Sequence, residues 1–119
     1  MKNLHLLSII LFQILQAFGG SISGIIIDEN NNPVKFSNII LHKYNDSNFL
    51  NGTTTDSAGK FEITNLEDGN YFLVPIFVGY KTDSIKNISL LNNETKILDT
   101  IQLQLEANIL KGVEITSTK

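Results

Sequence analysis

From Gly20 onward the chain is a series of short apolar runs separated by Asn, Asp, Gly and Pro. Ser21 to Ile27 is rich in β-branched residues and ends at the turn-forming Asp28-Glu29-Asn30-Asn31-Asn32-Pro33, so it reads as a strand leaving into a turn. Ser37 to Lys43 predicts the next strand, with Ile39 and Leu41 on one face and Asn38, Ile40 and His42 on the other. Asn45 to Gly52 is polar and reads as a loop, and Gly52 to Thr55 as a short extended piece. Asp56-Ser57-Ala58-Gly59 predicts a tight turn into Lys60 to Thr64, where Phe61 and Ile63 share a face.

Tyr71 to Val78 predicts another strand, with Pro75 inside it. Proline cannot donate to a ladder, so this stretch is expected at an edge or a bulge. Ser84 to Leu90 and Thr95 to Leu105 follow, joined by Asn92-Asn93-Glu94, and Ile101, Leu103 and Leu105 alternate with Gln102 and Gln104. Leu110 to Thr118 reads as a last extended segment. Past the N-terminal run, no window keeps an apolar stripe at helical spacing. About seven short strands at regular turn spacings point to an all-β sandwich. Its expected core is Ile25, Ile27, Ile39, Leu41, Phe61, Ile63, Leu73 and Leu103.

The N-terminus sets the compartment. Met1-Lys2-Asn3 is a short basic start, Leu4 to Phe18 is mostly apolar, and Ala17-Phe18-Gly19 supplies small residues for cleavage after Gly19. That is the layout of a secretory signal peptide. A retained membrane anchor is the alternative, but the run is short of the roughly 20 apolar residues of a spanning helix. The expected organisation is a signal peptide over 1–19, one β-sandwich over 20–105 and an extended tail over 106–119, with no membrane span in the mature chain. The expected location is the cell envelope.

Composition narrows the chemistry. Nine Lys+Arg against twelve Asp+Glu give a net charge of −3 with no basic cluster, which argues against nucleic-acid binding. There is no Cys, hence no disulfide, thiolate zinc site or thiol nucleophile. Loss of the leader would remove His5 and leave His42 as the sole histidine, on the face opposite Ile39 and Leu41, where most such residues are solvated. Zinc needs three or four ligands, so no metal or cofactor is expected, and no catalytic residue is assigned.

Gly24 to Asp28, Pro33-Val34, Ser37-x-Ile39-x-Leu41, Thr53-Thr54-Thr55-Asp56-x-x-Gly59-x-Phe61, Leu66-x-x-Gly69-x-Tyr71-x-Leu73 and Val78-Gly79-Tyr80 occur in that order. The set resembles the carboxypeptidase-regulatory-like domain, a prealbumin-like β-sandwich, over about Ser21 to Leu105. The resemblance implies an accessory module rather than a catalytic one. In that family the domain commonly opens TonB-dependent outer-membrane receptors of Bacteroidetes, directly after the signal peptide. Leu110 to Lys119 is similar to the segment leading there into the plug, which can carry the TonB-contacting stretch. The implied partners are the plug and barrel of a receptor and the TonB system, with Val113, Glu114, Ile115 and Thr116 as the expected contact. The other reading is a stand-alone exported sandwich that binds a carbohydrate, a peptide or a surface partner.

The matched residues have structural reasons to be there. Asp56 can accept N–H groups of its own turn and Gly59 tolerates positive φ. A calcium ligand is the functional alternative for Asp56, but one carboxylate is a poor start for an ion wanting six to eight oxygens. Tyr44, Phe49, Tyr71 and Tyr80 are the aromatics available for an outward binding face, although core and rim packing accounts for them more simply. Asp56-Ser57-Ala58, Asp83-Ser84-Ile85 and Asp99-Thr100-Ile101 resemble the acceptor pattern of Bacteroidetes O-glycosylation, which makes Ser57, Ser84 and Thr100 candidate acceptors. The Asn-x-Ser/Thr tripeptides at Asn45, Asn51, Asn87 and Asn93 reflect the high Asn content.

Overall fold

The structure, a computed structural model, describes residues 19–106. Most of the expected leader, the last extended segment and the expected contact residues Val113, Glu114, Ile115 and Thr116 lie outside the described residues. Within them run eight strands: β1 (Gly20–Ile27), β2 (Asn38–Lys43), β3 (Asp46–Thr54), β4 (Lys60–Leu66), β5 (Gly69–Ile76), β6 (Ile85–Leu90), β7 (Thr95–Ile97) and β8 (Ile101–Gln102). One sheet has the order β4-β1-β7, with β8 also on β1, and the other has the order β3-β2-β5-β6. The molecule is the all-β sandwich that the alternation predicts.

The two inner faces meet in one core. Ile22, Ile26, Phe61 and Ile63 come from the first sheet, and Ile39, Leu41, Tyr71, Leu73, Ile88 and Leu90 from the second. Each such side chain contributes about 2 kcal/mol by leaving water. Ile39, Leu41, Phe61, Ile63, Leu73 and Leu103 are buried as expected, but Ile25 and Ile27 are only half-buried and face outward. The three consecutive Ile residues hide the phase of β1, and Gly24 weakens the inner row. Gly24 sits opposite Phe61, and a Cβ there would lie 2.9 Å from the Phe61 ring, so the ring occupies the space the glycine leaves.

Three further expectations change. Asn45 to Gly52 is not a loop, because most of it belongs to β3, an edge strand that pairs from Lys43↔Asp46 to Asn38↔Thr54. Most of β3 is exposed, so its backbone pairing has no alternating apolar signature. Thr95 to Leu105 is not one strand. Both β7 and β8 lie parallel to β1, with Ser23↔Ile97 and Ile26↔Ile101, so four residues on one side face three on the other. The extra residue is a bulge, and it turns Leu98 against the core. Finally, of the edge or bulge expected around Pro75, the edge does not form, because β5 is an interior strand, whereas an irregularity of the bulge kind does, in its pairing with β6. Pro75 is tolerated because β6 pairs only as far as Leu73↔Ile85, with the register shifted between Tyr71 and Leu73, which leaves that flank of Pro75 without a ladder to supply.

A buried polar clasp fastens the loop before β2 to the end of β3. Thr55 Oγ1 accepts from the Ser37 N–H at 2.8 Å and donates to the Val34 carbonyl at 2.7 Å, while Ser37 Oγ donates to the Ile76 carbonyl at 3.1 Å. Both side chains are fully buried and every polar atom of theirs is paired, so the clasp has no desolvation cost left unmet.

Candidate interaction surfaces

Asp56 follows directly on the clasp. Its Oδ1 accepts the N–H of Ala58 at 2.9 Å and of Lys60 at 3.0 Å. The Lys60 and then the Ala58 hydrogen bond hold the carboxyl below the ordinary Asp range, because both stabilise the charged form. Gly59 has φ 74°, and its carbonyl accepts from the Ile26 N–H at 2.8 Å, tying the turn to β1. Ser57 is exposed on this turn. Among the described residues, no three His, Cys, Asp or Glu side chains come together as a metal cage.

The bulge in the first sheet shapes one side of the sandwich. A groove of about 510 Å³ is lined by Asp56, Lys60, Phe61, Leu98 and Thr100, among others. A neighbouring groove of about 430 Å³ is lined by Pro75, Asp83, Ile85, Leu98, Asp99 and Thr100. Thr100 therefore lies between the Asp56 turn and the Asp83–Ile85 segment. Asp56 shares the first groove with Thr100, Asp83 shares the second with Asp99 and Thr100, and Ser57, Ser84 and Thr100 are all exposed.

The outer face of the second sheet carries an aromatic group that the sequence reading missed in part. His42 lies opposite Phe72 on β5 and is half-buried beneath it rather than solvated, with ring centroids 4.6 Å apart and planes at 11°. Tyr44 tilts against the same Phe72 at 5.0 Å. With Asn45, Asp46 and Phe49 these residues line a shallow concavity of about 460 Å³. Phe72 carried one legible signal: Tyr71 to Ile76 is apolar at every position, so both faces of β5 are apolar. Leu50, opposite His42, extends the face and is 70% exposed.

The other aromatics belong to packing, as the simpler reading has it. Tyr71 is fully buried, and its hydroxyl donates to the Glu67 carbonyl at 2.6 Å across the β4–β5 turn. Burial pushes its phenol above the ordinary value. Phe49 packs edge-on against Tyr71 at 5.6 Å. Tyr80 rests its ring on the core and donates its hydroxyl to Glu29 Oε1 at 2.6 Å. That hydrogen bond to a carboxylate, followed by desolvation, pushes the Tyr80 phenol up to about 12.

No curated protein matches the sequence. Solved structures share its fold. A chain of a type II cohesin–X-dockerin complex (an interface mutant) from Acetivibrio cellulolyticus is 23% identical with a TM-score of 0.56, over 72% of this chain and 58% of that one. The major pilin subunit of Bacillus cereus is 22% identical with a TM-score of 0.58, over 75% of this chain and 31% of that one. A DUF3823 family protein from Parabacteroides merdae is 12% identical with a TM-score of 0.57, over 74% and 47%. This chain thus spans less than two thirds of each of these chains. At such identities the likeness is one of fold. Residues 21–104 match the carboxypeptidase regulatory-like domain, a match that runs from β1 past β8 and takes in both sheets, and the chain belongs to that family.

Proposed function

We propose that this is the exported accessory domain of a TonB-dependent outer-membrane receptor, held in the periplasm and working by docking rather than by catalysis. The observation that carries the reading is the family match over residues 21–104, which begins directly behind the leader-like residues 1–19. The partners are the receptor's own plug and barrel and the TonB system, reached through Val113, Glu114, Ile115 and Thr116. An extended tail of that kind can add a strand to a partner sheet. Ser57, Ser84 and Thr100 are its O-glycan acceptors, and a glycan on Thr100, which lines both grooves, would shield them.

Immunoblotting of fractionated native cells with an antibody to residues 20–105 tests the proposal. A large heat-modifiable outer-membrane band is expected. A small soluble band near the mature mass would instead leave an exported binding module. Mass spectrometry of native material tests the acceptors, and unmodified Ser57, Ser84 and Thr100 peptides would remove them. The aromatic concavity around Phe72 favours the second reading, in which a stand-alone exported sandwich takes a carbohydrate or a peptide. NMR shifts of the His42 and Tyr44 rings on titration with oligosaccharides would support it, and unmoved rings would end it.

A further inference from the structure

We infer that Asn51 is a site of spontaneous deamidation and isoaspartate formation on the free edge of β3. Asn51-Gly52 is the sole Asn-Gly pair in the sequence. Both residues are exposed, on a strand whose other edge pairs β2. The Gly52 N–H donates to the Asn51 side-chain oxygen at 2.7 Å, so the nitrogen that must react is held beside the carbonyl it must attack. Gly52 has no side chain to screen its nitrogen. Asp68-Gly69 makes a useful contrast. The Asp68 carboxylate is engaged by the N–H groups of Asn92 at 2.9 Å and Asn93 at 3.1 Å, which draws it toward another loop.

In the reaction the Gly52 nitrogen gives up its proton and bonds to Asn51 Cγ. The Cγ–Nδ2 bond breaks and ammonia leaves with that proton, closing a succinimide ring. Water then opens either ring C–N bond, which yields aspartate or isoaspartate. Only water is consumed, and no oxidant or reductant is needed. Either product places a carboxylate on the free edge of β3, where charge opposes pairing with another strand. Isoaspartate also inserts a main-chain methylene ahead of Thr53, Thr54 and the Thr55 clasp, pulling on their register with β2. The edge that is open to pairing in new protein thus becomes a charged one with age.

The test incubates the full chain at mildly alkaline pH and physiological temperature, native and in urea. Conversion is read at every Asn by peptide mass spectrometry and isoaspartyl methyltransferase labelling. Asn51 is expected to convert at least about tenfold faster than any other Asn of the folded chain, and no more slowly than in urea. An Asn51 that stays intact in the folded chain while converting in urea would overturn the inference, since β3 would then be holding the amide away. Asn51→Gln is expected to abolish the methyltransferase signal. A signal that survives in this variant would place the chemistry elsewhere and overturn the inference too.

Discussion

The loops that begin at Asp28 and Asp56 are built to one plan and placed in two environments. In the first, Asp28 Oδ1 accepts the N–H of Asn30 at 2.8 Å and of Asn32 at 2.9 Å, and the Asp28 N–H donates to the Asn32 carbonyl. In the second, Asp56 Oδ1 takes the N–H of Ala58 and of Lys60, and the Asp56 N–H donates to the Lys60 carbonyl. The fourth residue of each loop is left-handed: Asn31 at φ 65° and Gly59 at φ 74°. Asn31 is exposed, whereas a Cβ on Gly59 would sit 2.5 Å from the Ile26 carbonyl oxygen. Asn satisfies the left-handed requirement in open solvent, and only glycine satisfies it against the backbone of β1. The moorings differ as well. Backbone bonds to β1 and the buried Thr55 hold the Asp56 loop, while Gln102 and Tyr80, distant in the chain, reach the Asp28 loop through side chains.

The largest effect should separate the two left-handed positions. Gly59→Ala is expected to cost about 3 kcal/mol, because strain at positive φ adds to a backbone clash. Asn31→Ala should cost about 1 kcal/mol. Urea denaturation of both variants measures the gap, and equal losses would mean that the packing of Gly59 on β1 contributes nothing. Next comes Thr55→Val, which keeps the shape but leaves the Val34 carbonyl and the Ser37 N–H unpaired in the core. A loss of about 2 kcal/mol is expected by thermal or urea unfolding.

Acid and alkali probe the same pair of loops from opposite ends. The Asp56 carboxyl is lowered in the folded state, so its contribution is complete above the unfolded value of 3.8 and is lost as pH falls through the folded one. Asp56→Asn should flatten that part of the stability–pH curve, measured by thermal melts across acid pH. The smallest effect is expected at the Asp28 loop. The Tyr80 phenol is raised from 10.0 to about 12, so its contribution is present below pH 10 and fades as pH rises toward 12. In a spectrophotometric titration Tyr80 should ionise late, and Glu29→Gln should bring it back toward the ordinary value. A Tyr80 that ionises normally in the parent protein would show that Glu29 does not hold this loop.

How much of this was legible depended on the kind of signal each residue carries. The Asp56 turn could be read because its residues are neighbours and their hydrogen bonds are local. β2 and β4 could be read because Ile39, Leu41, Phe61 and Ile63 alternate with residues that are exposed or half-buried in β2 and exposed in β4. β3 could not, since a doubly exposed edge strand is held by backbone bonds that leave no mark on side-chain polarity. The phase of β1 was ambiguous because three Ile residues in a row satisfy either face, and the space beside Phe61 decided the matter. The three Asp-Ser/Thr pairs were visible one by one, whereas the grooves that Thr100 shares with Asp56 and with Asp83 were not.

Alternation, turn chemistry and the family's ordered motifs were therefore enough for an all-β sandwich with an Asp-led turn at Asp56, because those depend on residues close in the chain. The pairing partners were not available there. Only the packed sheets join Thr55 to Val34, His42 to Phe72 and Tyr80 to Glu29, contacts that span the chain from one strand to another. The same packing splits the stretch after Thr95 into β7 and β8, since the register against β1 cannot be kept across one extra residue. Local preference is written residue by residue, whereas register, phase and cross-strand contact arise when two segments compete for the same space.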